Sequence, residues 1–166
     1  YSRTYEAVLA TPMTTGDVAL GEISWAVMRG QIYAVAFLIV MAAMGLIASP
    51  WMLMAIPICA LIGYAFASAG MAATTYLRSW VDFEWVPTAT MPLFLFSATF
   101  FPLSAYPESV RWLVQLSPLY HGVALLRQAN AGVVAWSTLA HVAVLVALMG
   151  VGLWITGKRL TRLLAS

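Results

Sequence analysis

The stretch GQIYAVAFLIVMAAMGLIASPWMLMAIPICALIGYAFASAGMAATTYL, Gly30 to Leu77, runs for 48 residues without one Asp, Glu, Lys or Arg. One membrane crossing takes about 20 helical residues at about 1.5 Å each. The stretch therefore holds two crossings, and they need a turn between them. Ser49-Pro50-Trp51, near its middle, supplies one, because proline breaks a helix and tryptophan suits the membrane interface. Two further uncharged stretches, Trp85–Pro107 and Gln128–Gly157, each have room for one more. The spacing predicts an all-α polytopic bundle with spans over about 27–48, 52–76, 85–103 and 134–156.

Composition points the same way. Of 166 residues, 63% are hydrophobic and 8% are charged, against about 25% charged in soluble domains. So few charges cannot cover a soluble surface, which excludes a soluble enzyme or signalling domain. A net charge of +2 is too small for nucleic-acid binding, which needs a concentrated basic face. One cysteine, Cys59, excludes a disulfide framework and a cysteine metal cluster.

Four crossings put both termini on one side. Arg3, Arg29, Arg78, Lys158, Arg159 and Arg162 lie on that side, and only Arg111 and Arg127 on the other. The excess of positive charge predicts cytoplasmic termini in a multi-pass plasma-membrane protein. Of the 14 charges, three (Glu108, Arg111, Arg127) fall outside the cell, eleven in the cytoplasm, and none at mid-membrane. Ion-coupled transporters hold charges at mid-membrane, so energy is expected from elsewhere. The chain opens Tyr1-Ser2-Arg3, without the start of a cleavable leader, and reads as a piece of a longer one.

The segments that do not cross carry more information. Tyr5, Val8 and Leu9 share one helical face, and Thr11-Pro12 ends that helix. Thr14, three residues before Asp17, has capping-box spacing and starts another. This segment fits either a membrane-surface helix or a dock for a cytoplasmic partner. The short loop Arg78–Glu84 reads as solvated. Pro102–Asn130 is longer than a turn. Within it Glu108, Arg111 and Gln115 share one face, Val110, Leu113 and Val114 the opposite one, and Ser117-Pro118 separates two helices. It fits a re-entrant hairpin or a cap lying flat on the outer surface.

No catalytic constellation can be assembled. His121 and His141 have no acidic or thiol partner at ligand spacing, and His141 reads as a packed or interfacial histidine. Glu108 and Arg111 read as an exposed pair of little weight. Gly152–Arg159 imitates a phosphate-binding loop, but Arg159 stands where a Mg²⁺-binding hydroxyl belongs, and the glycines fall in a span. The chain itself is not expected to be an ATPase. Small residues dominate Gly63–Thr75, a face suited to close approach of a helix from the same chain or a second copy. Phe94, Phe96, Phe100 and Phe101 make an aromatic wall for lipid, for packing, or for a hydrophobic substrate path.

Two stretches carry a family resemblance: RTYEAVLATPMTTGDVALGE at 3–22, and FSATFFPLSAYP at 96–107 continued by LSPLYHG at 116–122 and LLR at 125–127. The chain resembles the membrane permease subunit of type-2 ATP-binding-cassette (ABC) exporters, in the branch of nodulation lipo-oligosaccharide and daunorubicin-type drug exporters. The resemblance implies six spans, of which these would be the third to sixth. It implies an ATPase-contacting segment with Tyr5, Glu6, Leu9 and Pro12 at the matching positions. It also implies an outer re-entrant gate containing Pro102, Pro107, Pro118, His121 and Arg127.

The implied organisation is a coupling segment over 1–26, three spans over 27–101 with a cytoplasmic loop at 77–84, re-entrant helices over 102–132, a last span over 133–157, and a basic tail over 158–166. The implied partners are a cytoplasmic ABC ATPase carrying the ATP and magnesium, a second permease copy, and membrane lipid. No cofactor is expected in the chain itself. The expected cargo is amphipathic or lipid-linked. A non-transporting membrane anchor or assembly protein is the main rival, and an ion-coupled secondary transporter a weaker one.

Overall fold

The computed structural model describes residues 15–77 and 79–164. It is mostly helical, with no strand among the described residues. Helix α1 (Thr15–Ala43) leads through a 3-10 turn (Pro50–Met54) into α2 (Ala55–Thr74). A second 3-10 turn (Trp80–Glu84) opens α3 (Trp85–Leu95), and a third (Leu103–Ala105) precedes α4 (Glu108–Leu116). Then come α5 (Pro118–Ala131) and α6 (Trp136–Leu164). Three stretches are long and apolar enough to cross a membrane: Gly16–Ala43, Pro50–Thr74 and Trp136–Arg159.

The turn inside the 30–77 stretch is built by two devices. Gly45, at φ 67°, ends α1: Gly45 N donates to Ala42 O at 3.1 Å and Leu46 N to Met41 O at 2.9 Å. This is the paired 6→1 and 5→2 closure that a left-handed glycine permits. Ser49 then starts the 3-10 turn, its Oγ accepting from Trp51 N at 3.3 Å. The Ser49-Pro50-Trp51 break is where the sequence predicts it, but α1 stops earlier, at Ala43, because Gly45 stops it first.

The segment expected as the third crossing, 85–103, is helical only over the 11 residues Trp85–Leu95. With its 3-10 turn it spans about 26 Å, against a hydrocarbon core of about 30 Å. Pro92 sits inside α3 and removes one backbone donor. Phe96 N still bonds Pro92 O at 2.9 Å, and Ala98 then turns the chain at φ 57°. In the loop before α3, Asp82 is engaged: its carboxylate accepts from Ser79 N at 2.9 Å.

The core lies where α2, α5 and α6 meet. Ala65, Leu125 and Leu145 are buried there, with Ile58, Leu61, Ile62, Val142, Leu148 and Met149 packed around them. Helix α1 joins through buried Ile23 and Val27 and a bond from Tyr64 Oη to Ser24 Oγ at 3.1 Å. The small-residue face of α2 meets a helix of the same chain. A Cβ built on Gly152 of α6 would lie 2.6 Å from the Ser68 carbonyl carbon and 2.8 Å from Ala69 N. Two hydroxyls near this crossing are satisfied within their own helices: Ser68 Oγ donates to Tyr64 O and Thr156 Oγ to Gly152 O, so neither needs a partner across the seam. Gly152–Gly157 lies wholly inside α6, which leaves no loop to cradle a phosphate.

Candidate functional site

Helices α4 and α5 pack at one end of the bundle, with the turn after α3. Pro118 occupies the first turn of α5, where its missing donor costs nothing. Pro107 precedes α4 as its cap at φ −54°, ψ 145°, and Pro102 caps the 3-10 turn at φ −65°, ψ 154°. Gly132, at φ 69°, closes α5 as Gly45 closes α1: Gly132 N bonds Ala129 O at 3.2 Å and Val133 N bonds Gln128 O at 3.0 Å.

Helix α5 does not lie across the end of the bundle; it runs alongside α2 and α6. Its last turn reaches the α1–α2 connection, where Asn130 Oδ1 accepts from Ala48 N at 3.1 Å. Further along, a Cβ on Gly122 would meet Ile62 Cδ1 at 2.9 Å. Ile62 is seven residues into α2, or about 10 Å along it. Leu119 shares a cavity of about 410 Å³ with Val27, Ala67 and Gly122. The Ser117-Pro118 corner therefore sits at depth within the bundle. Ser117 is 7% exposed, as expected of a backbone break sheltered by protein.

Three polar devices hold this assembly. Arg127 Nη2 donates to Ala98 O at 2.7 Å and to Thr99 O at 3.3 Å, tying α5 to the turn after α3. Tyr106 Oη donates to Leu95 O at 2.9 Å, capping the end of α3. Arg111 Nε donates to Tyr106 O at 2.9 Å and its Nη2 to Ser104 O at 3.2 Å. The Arg111–Glu108 ion pair is looser, at 3.7 Å with the Glu108 side chain 91% exposed. Both arginines thus serve carbonyls that an irregular loop leaves without helical partners.

His121 of α5 and His141 of α6 face each other with Nδ1 atoms 2.7 Å apart. At that separation one nitrogen donates and the other accepts, so the pair shares one proton between them. Tyr120 sets its ring edge-on to both, at 5.5 Å and 5.9 Å. Gln128 closes the same two helices beyond them, donating to Ser137 Oγ at 3.0 Å and accepting from Thr138 Oγ1 at 2.7 Å.

Phe94, Phe96 and Phe100 come together with Pro87, Met91 and Pro92 around an apolar cleft of about 670 Å³. Phe94 and Phe100 meet edge to face at 5.5 Å. Phe101, 57% exposed, does not line this cleft. Tyr5, Glu6, Leu9 and Pro12 lie outside the described residues.

Sequence reasoning missed four participants: Ala98, Tyr106, Gln128 and the pairing of His141 with His121. Its only available signals were that two histidines stood in adjacent helices and that Tyr106 preceded a helix-capping proline. Neither names a partner.

A family model described as ABC-2 type transporter matches residues 2–131. Nodulation protein J of Sinorhizobium fredii is 37% identical over 128 residues, 76% of this chain and 49% of that protein. Nodulation protein J of Rhizobium meliloti is 33% identical over 141 residues, 84% of this chain and 52% of that protein. The protein of the same name from Rhizobium leguminosarum bv. viciae is 32% identical over 144 residues, 86% and 56% respectively. The chain spans about half the length of the curated relatives it matches. No solved structure matches it.

Proposed function

The chain belongs to the ABC-2 type transporter family, and from that premise we propose that it is part of the permease subunit of an ABC exporter. In this reading it moves an amphipathic or lipid-linked substrate out of the cytoplasm, and a separate ATPase drives it. The observation that carries the proposal is the family match over residues 2–131. Pro50–Thr74 and residues 136–157 hold no Asp, Glu, Lys or Arg, which supports an energy source outside the membrane, while Arg29 lies within the stretch Gly16–Ala43.

Two permease copies pair with two cytoplasmic ATPases, which hold the ATP and magnesium. ATP binding closes the ATPases, and the helix around Tyr5–Leu9 transmits the motion as a rigid contact, with Glu6 and Pro12 in the same segment. The α4–α5 hairpin faces outward and gates release. The depth of the Ser117-Pro118 corner supports a hairpin that enters the membrane, and the Arg127–Ala98 bond supports coupled motion of hairpin and α3. Pro102, Pro107 and Pro118 set the corners of that gate. The Phe94, Phe96 and Phe100 cleft is the apolar surface offered to the substrate's hydrophobic part, with Phe101 beside it in sequence.

The test is Glu6→Arg in the full-length permease, co-expressed with its ATPase. Export falls and ATP hydrolysis loses its dependence on substrate, while membrane insertion is unchanged. Normal export by this variant would remove the docking role. A non-transporting anchor is separated by purification: if no ABC ATPase accompanies the permease, the exporter reading fails.

A further inference from the structure

At the end of the bundle opposite the hairpin, the last turns of α2 and α6 make a second polar feature. Tyr76, Trp154, Ile155, Lys158 and Arg159 line a cavity of about 210 Å³. The Arg159 guanidinium stacks on the Tyr76 ring at 3.8 Å from its centroid. It also donates from Nη2 to Thr75 O at 3.2 Å, which holds it beside the end of α2. Lys158 Nζ sits 4.9 Å over the Trp154 ring.

Among the described residues these contacts leave most of the donors unused. A guanidinium has five N–H groups and an ammonium three. Arg159 Nε is buried without an acceptor among the described residues. Stacking on aromatic faces orients both cations, and no described carboxylate lines the cavity to compensate them. Trp154 is 65% exposed and Tyr76 56%, at the end of an apolar span where tryptophan and tyrosine occupy the headgroup layer.

We propose that this cavity is a binding site for the phosphate headgroup of an acidic phospholipid. Lys158 and Arg159 hold the phosphate, Trp154 and Tyr76 flank it at headgroup depth, and Ile155 meets the start of the acyl region. A headgroup fits better than a soluble anion because both aromatic side chains are exposed at the end of an apolar helix, where tryptophan and tyrosine take the headgroup layer. A basic pocket between helix ends, at the interface, is the arrangement that recognises anionic lipid. The bound headgroup bridges the ends of α2 and α6, the two helices in closest contact at Gly152.

The full-length permease, purified in detergent, is exposed to an equimolar mixture of phosphatidylglycerol and phosphatidylcholine with the same acyl chains. Native mass spectrometry reads the lipids retained. The wild type keeps phosphatidylglycerol in preference to phosphatidylcholine. Lys158→Gln weakens that preference about fivefold, and Lys158→Gln with Arg159→Gln about thirtyfold, at one surface charge each. Among the described residues the Lys158 side chain stacks on Trp154 and makes no hydrogen bond or ion pair, so the single variant decides the matter if the double variant does not fold. Equal retention of the two lipids, or a preference that Lys158→Gln leaves intact, overturns the proposal. Full displacement of phosphatidylglycerol by millimolar-range inorganic phosphate would also overturn it, by making this a soluble-anion site.

Discussion

Substituting Gly152 by alanine tests the helix packing most directly. The added Cβ would stand 2.6 Å from the Ser68 carbonyl carbon, 2.8 Å from Ala69 N and 2.8 Å from Ser68 O. Carbon–carbon contacts are comfortable at about 3.5–4.0 Å, so α2 and α6 must part by about 1 Å. The obstacle is backbone and cannot rotate away, which puts the cost near the top of the overpacking range, about 2–3 kcal/mol. Three other glycines calibrate it. At Gly122 the Cβ meets the flexible end of Ile62 at 2.9 Å, for about 1 kcal/mol. At Gly63 it meets Val27 Cγ2 at 3.2 Å, for about half that. At Gly150 nothing lies within 4 Å, and alanine's better helix propensity makes the change neutral or stabilising by up to about 1 kcal/mol. Unfolding in mixed micelles titrated with SDS, followed by helical circular dichroism, should rank the four alanine variants from Gly152 (least stable) through Gly122 and Gly63 to Gly150. A Gly152→Ala protein as stable as Gly150→Ala would refute the α2–α6 seam as described.

The other predictions concern the hairpin end. Arg127→Met should free the turn after α3: a charged donor to a carbonyl contributes about 1.5–3 kcal/mol when shielded and about 1 kcal/mol here, where the side chain is exposed. Hydrogen exchange at residues 96–101 should quicken about fivefold, and unchanged exchange would mean the bond to Ala98 holds nothing. His121→Ala and His141→Ala should be coupled by about 1 kcal/mol in a double-mutant cycle read by the same SDS titration; strict additivity would deny the shared proton. Cysteines placed at Glu108 or Gln115, with Cys59 replaced by alanine, should react with an impermeant maleimide added outside intact cells. Labelling only from the cytoplasmic side would invert the proposed topology.

Much of the architecture is legible in one dimension because its causes are local. Charge-free length gives the number of apolar stretches, and proline and capping residues give their ends. Thus the break at Ser49-Pro50-Trp51 and the hinge at Ser117-Pro118 fall where expected. Hydropathy alone misjudges 85–103: apolar composition says only that a segment can enter lipid, not that its backbone stays helical. Pro92 and the left-handed Ala98 shorten that helix.

What the sequence determined by itself is an all-helical membrane chain, with long charge-free apolar stretches and the two motif stretches that place it in its family. Only the tertiary structure decided which residues meet. Arg127 finds the Ala98 carbonyl 29 residues away, His121 pairs with His141 across 20, and Arg159 reaches Thr75 across 84. The small-residue face of α2 meets Gly152 of the same chain. The physical reason is that burial from water is a property of each segment and can be summed along the chain. A hydrogen bond or a backbone contact is a property of a pair, and its partner is selected by how the helices cross.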